Sequence, residues 1–189
     1  MTSKESASWQ NLVDSIGTQV PNVTEYALAP IPSPVFAGIR LMMDVQLPSC
    51  LSALYEVTNG LDLPGYLPDL FSSNDMSFSL IRAEHLVEWY RGQMSNDGSR
   101  GGAWTLLPHW MKVLSIGYRA DGLWNRHWLP FATDGAGGVQ FISTNWPSCV
   151  CQYDSETFGI RRSGRTLSAY LQWVSRRIRN GTFEVLDPS

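Results

Sequence analysis

Residues 127–154 constrain the fold of this chain more than any other stretch. His127–Thr133, Gly138–Thr144 and Cys149–Asp154 are short segments rich in β-forming residues, separated by Asp134-Gly135-Ala136-Gly137 and Asn145-Trp146-Pro147-Ser148. Turn clusters at that spacing predict three sequential strands in an antiparallel meander. In Val139-Gln140-Phe141 the side chains alternate between faces, so at least one face of the sheet must be covered by helices.

The covering helices can be read from apolar stripes. Leu167, Tyr170, Leu171, Val174 and Ile178 share one helical face, with Thr166 as N-cap and Asn180-Gly181 as the stop. Trp9, Leu12, Val13 and Ile16 fall at i, i+3, i+4 and i+7 and predict a short helix closed by Gly17 and Pro21. Three prolines between Ala29 and Pro34 predict an extended connector. Pro48 to about Val57 reads as a helix with Leu51, Leu54 and Tyr55 inward, ended by Asn59-Gly60. Residues 61–74 read as an irregular loop carrying Tyr66, Leu67, Leu70 and Phe71, followed by a short strand, Met76–Ile81. Ala83, Leu86, Val87 and Tyr90 then mark a helix that fades by Asn96, and 95–102 reads as an exposed loop tip. The expectation is an α+β fold: a largely antiparallel central sheet with helices packed on one side. Residues 29–186 would form one globular unit, preceded by a helix and lead-in over 1–28.

Composition narrows the class. At 189 residues, 43% hydrophobic and 12% aromatic, the chain can bury one core, and it shows no internal repeat. A formal net charge of −3 argues against a surface built for phosphate backbones, so nucleic acid is not expected as the partner. Cys50, Cys149 and Cys151 are an odd set, two of them separated by one residue, which suits a reducing compartment better than a secreted disulfide framework. There is no signal-length apolar run near the start and no unbroken apolar stretch of membrane-spanning length. A cytoplasmic protein that does not enter a membrane is the expectation.

Two groups of residues carry a family resemblance. Leu47-Pro48, Leu54-Tyr55 and Thr58-Asn59-Gly60 resemble the "LP, helix, NG" opening of SMI1/KNR4 (SUKH) domains. Trp128-Leu129-Pro130-Phe131-Ala132-Thr133-Asp134-Gly135-Ala136-Gly137-Gly138 is similar to that family's tryptophan-led strand and Asp-Gly turn. The Val150–Asp154 strand and the final helix follow in matching order, so the resemblance spans roughly 45–182. It implies helices packed on one side of a central sheet and a role in binding another protein, with no catalytic residues. Bacterial members are immunity proteins that neutralise polymorphic toxins; fungal members regulate cell-wall assembly and signalling. Toxin neutralisation is the leading role and regulatory scaffolding the alternative. The motif residues also make sense as architecture. Trp128 and Phe131 supply buried area, Pro130 suits a β-edge or bulge, and Gly135 and Gly138 ease the reversal after Asp134. Pro48, Asn59 and Gly60 frame a helix.

Chemical constellations are sparse. Cys50, Cys149 and Cys151 with His85, His109 and His127 form no nucleophile elbow, papain-type context or HExxH, so an enzyme with an unrecognised site is the remote rival. One C-x-C with scattered histidines lacks the paired spacing of a tetrahedral zinc site, and Asp134–Gly138 lacks a phosphate loop's Lys-Ser/Thr ending; no cofactor or metal is expected. Charge, however, is segregated. Residues 160–181 hold Arg161, Arg162, Arg165, Arg176, Arg177 and Arg179 and no acid, which leaves eight basic and seventeen acidic residues elsewhere. The bland reading has these arginines facing solvent and complementing a helix C-terminus. The functional reading places a protein partner, a basic toxin domain, on the acidic side. Asp62, Asp69 and Asp75 would steer it, and Tyr66 and Phe71 would anchor it. Trp124 and Trp146 are further loop aromatics.

Overall fold

The computed structural model describes residues 3–43, 46–70, 77–95, 127–144, 149–154 and 159–185. Helix α1, Lys4–Ile16, begins where the Ser3 hydroxyl accepts the Ser6 N–H at 3.1 Å and buries Trp9, Leu12, Val13 and Ile16. A 3-10 turn, Val23–Tyr26, follows. Helix α2, Ser33–Met43, was hidden by the prolines before it. The connector is extended only as far as Pro32, whose carbonyl accepts from Val35 and Phe36 N–H, while Pro34 sits in the first turn, where it loses no hydrogen bond. Phe36, Ile39 and Met43 are its buried stripe; Val35, Leu41 and Met42 remain exposed. Helix α3 is Ser49–Tyr55, with Pro48 at its N-cap position.

Six strands follow: β1 Leu67–Pro68, β2 Ser77–Leu80, β3 Trp128–Thr133, β4 Val139–Ser143, β5 Cys149–Asp154 and β6 Gly159–Arg162. They form one sheet in chain order, and every neighbouring pair is antiparallel. The meander over β3–β5 matches the sequence reading. The two outer strands, β1 and β6, are too short to leave a periodic signal. Helix α4, Ala83–Ser95, lies between β2 and β3, and α5, Leu167–Arg179, closes the described chain with the Thr166 hydroxyl accepting from Ala169 N–H. The register of β3 against β4 shifts between Pro130 and Ala132, so Phe131 is the extra residue of a bulge. Pro130 has no N–H to donate and fits that interruption.

One large apolar cluster joins α1, α3 and α5 to Leu129, Phe131, Ile142 and Val150 on one face of the sheet. The opposite face carries a second, smaller cluster of Trp128, Val139, Phe141, Cys149 and Cys151, with the Trp128 and Phe141 rings stacked at 4.8 Å. Trp89 of α4 packs against both. The first helix is tied to the last: Gln172 donates to the Ser8 hydroxyl at 3.1 Å, Gln19 donates to the Phe183 carbonyl at 3.1 Å, and Val185 N–H donates back to Gln19 at 2.8 Å. Residues 3–28 thus contribute to the same core as the sheet.

Candidate protein-interaction surface

The shared motif residues are occupied in holding the fold. Asn59 accepts the Ala83 N–H through Oδ1 at 2.8 Å, so it caps α4 from a distant loop, and it donates through Nδ2 to Glu84 at 2.9 Å. Gly60 has φ +103, and an added Cβ would lie 3.2 Å from both Leu80 and the Tyr66 hydroxyl. In the β3–β4 turn, Asp134 Oδ1 accepts from Ala136 and Gly138 N–H, both at 2.8 Å, and Gly135 takes φ +77. Gly138 is required by proximity: a Cβ there would fall 2.2 Å from Asp134 Oδ2, an oxygen already buried with no partner among the described residues. These contacts specify the local backbone.

Three of the acidic loop's five candidates, Asp62, Tyr66 and Asp69, are among the described residues. Asp62 is exposed and pairs with Arg82 at 2.7 Å, a surface ion pair of small energetic weight. Tyr66 is wholly buried. Its hydroxyl accepts from Leu61 N–H at 3.2 Å and Leu80 N–H at 3.0 Å, its ring meets Trp9 edge-on, and burial pushes its ionisation up to about 12. Asp69 is buried too, accepting from Gln152 Nε2, and Gln152 Oε1 in turn receives Leu70 N–H at 2.7 Å. Gln140 donates to the Pro68 carbonyl at 2.8 Å, and the Tyr170 hydroxyl donates to Gln140 Oε1 at 2.9 Å. Tyr66 and Asp69 are therefore corrected from partner-facing residues to core residues. The reason is that β1 turns this loop inward, where its polar groups can be satisfied only by the sheet and α5. Phe71 and Asp75 lie outside the described residues, as do 96–102, His109, Trp124 and the 145–148 turn.

The arginines of the C-terminal segment sort into two groups. Arg161 donates to the Leu70 carbonyl, and Arg162 reaches the Cys149 sulfur at 3.5 Å. Two of the others, Arg165 and Arg177, flank Trp173, a half-buried residue of α5 that the sequence reading passed over. The Arg165 and Arg177 guanidinium carbons stand 4.8 and 5.2 Å from the Trp173 ring centroid, and Arg177 also lies 6.0 Å from Phe183. Arg177 donates to the Thr182 carbonyl at 2.7 Å, and Arg179 to the Ser175 carbonyl at 3.3 Å, both at the helix C-terminus. Arg165, Arg176, Arg177 and Arg179 have no carboxylate partner among the described residues. The spacing of Trp173 and Arg177, i and i+4 on a helix, was the available signal.

Of the described histidines, His85 faces Glu88 at 3.9 Å and His127 meets the Thr144 hydroxyl at 3.3 Å. Among the described residues there is no cluster of three or more His, Cys, Asp or Glu, and no helix is long and apolar enough to cross a membrane.

A comparison with the curated proteins returns no match. The model of the SMI1 / KNR4 family (SUKH-1), however, matches residues 37–173, which hold both motif groups, from Pro48 through Gly138, and all six strands. That match covers more than half of the 189 residues, so the chain belongs to the SMI1/KNR4 (SUKH-1) family, whose domains are protein-interaction modules.

Proposed function

We propose that this protein is an immunity protein that neutralises a toxin by binding it, and that the binding surface is the Arg–Trp face of α5. One observation carries the surface: Trp173 is held between Arg165 and Arg177. Trp and Arg dominate interface hot spots, and these three side chains already stack on one another, a contact that would lower the entropic cost of docking. Guanidinium groups without carboxylates of their own favour a partner whose docking face is acidic. The working surface thereby moves from the acidic loop, most of whose described candidates are core, to the opposite sign of charge. A cytoplasmic location suits this role.

The test begins by reading the genes on either side of this one and takes a toxin domain encoded there as the probe; a neighbourhood without one counts against the immunity reading. Co-expression of the wild type should protect cells from it. In binding kinetics Trp173→Ala should mainly speed dissociation, while Arg176→Glu, at an exposed position, should mainly slow association and more so at low salt. Asp62→Lys should leave both rates unchanged. A rate change confined to Asp62→Lys returns the interface to the acidic side, and a wild type that neither binds nor protects ends the immunity reading.

A further inference from the structure

The sheet face away from the large cluster carries a pair of thiols used by neither the motif nor the arginine face. Cys149 and Cys151 are two apart on β5, so both side chains leave the strand on the same side, and their sulfurs are 3.7 Å apart. Arg162, paired with Cys151 across the β5–β6 ladder, sends Nη2–H to Cys149 Sγ at 3.5 Å. Trp128, Val139 and Phe141 supply apolar neighbours. Both cysteines are buried and unoxidised.

The charges around the pair favour a monovalent ion. Two thiolates on one monovalent cation make a complex of charge −1, which the Arg162 guanidinium at 3.5 Å balances; each metal–sulfur bond forms as its thiol proton leaves to solvent. A divalent ion would leave a positive charge among apolar walls. It would also want further ligands, and the described residues offer no group of three. A disulfide is the poorer fit, since residues i and i+2 of a strand are about 6.6 Å apart at Cα, near the upper limit for a bridge. The ladders on both sides hold β5 extended at that spacing.

We propose that Cys149 and Cys151 form a two-coordinate site for a soft monovalent cation of the copper(I) class, with Arg162 as its counter-charge. The sequence argument against a metal rested on four-ligand zinc geometry, which such an ion does not need. In the test, reduced protein competes anaerobically with bicinchoninate for copper(I). Wild type and Cys50→Ser should each withdraw one equivalent. Cys149→Ser and Cys151→Ser should withdraw none, and Arg162→Gln should bind about 10–100-fold more weakly. X-ray absorption at the copper edge of the wild-type complex, which needs no variant, should show two sulfur scatterers and no nitrogen. Unchanged withdrawal by Cys149→Ser, a nitrogen ligand, or equal competition for zinc(II) would each overturn the site.

Discussion

Tyr66→Phe removes one oxygen atom and separates a core role for this residue from an interface role. Strand β1 is only two residues long, so it leaves the outer edge of β2 unpaired near Leu80. The Tyr66 hydroxyl fills that gap, accepting from Leu80 N–H at 3.0 Å and Leu61 N–H at 3.2 Å in a fully buried position. Phenylalanine would keep the ring and its contact with Trp9 but strand both backbone donors away from water. A buried donor without a partner costs about 1–3 kcal/mol, so the pair should cost about 2–5 kcal/mol, less whatever a water or a small backbone shift recovers. Urea denaturation of the wild type and variant, fitted with a common m-value, measures the difference directly. A loss below about 0.5 kcal/mol would show that the hydroxyl does not substitute for a missing strand, and the reasoning would fail.

Three further outcomes follow from the same geometry. The un-ionised Tyr66 hydroxyl is favoured in the folded state, so its contribution is present below the unfolded value of 10 and should be lost as pH rises towards about 12; tyrosinate absorbance should rise together with unfolding rather than before it. Trp128→Ala removes an aromatic stacked on Phe141 and should cost about 3–5 kcal/mol by chemical denaturation, whereas a cost below about 1 kcal/mol would place Trp128 outside the core. Asn59→Ala uncaps α4 at Ala83 and should lower stability by about 1 kcal/mol, while Asn59→Asp, which keeps the accepting oxygen, should recover most of it; equal losses would refute the capping role.

Elements with strong local signals were legible in the chain. The β3–β5 meander showed in alternation and turn residues, and α5 showed in Leu167, Tyr170, Leu171, Val174 and Ile178, all of them buried. Helix α2 was not, because prolines that mark a connector also begin helices, and because exposed Val35, Leu41 and Met42 blur its stripe. The inward turn of the acidic loop was illegible for another reason. Asp69 and Tyr66 are satisfied by Gln152, Leu61 and Leu80, and the partnership with Gln152 spans 83 positions of sequence. Charge and aromaticity in a loop invite an interface reading until such distant partners are seen. The arginine segment was noticed as charge, but Trp173, which organises it, was overlooked as one more apolar residue of an amphipathic helix.

The tie between α1 and α5 affects how the domain can be made. A sheet whose strands lie in chain order can grow strand by strand as the polypeptide emerges from the ribosome, each new hairpin finding its neighbour already in place. Its cover cannot grow in that way. Helix α1 is synthesised first, yet Gln172, which bonds its Ser8, and the Ile178 and Phe183 carbonyls, which accept from Gln19 just beyond it, come much later. Until then Trp9, Leu12 and Ile16 have only part of their packing, and the inner face of the meander waits uncovered by α5. A nascent chain halted before Leu167 would leave that apolar face exposed to water and be a client for chaperones, while emergence of residues 167–185 would complete the packing in one cooperative step.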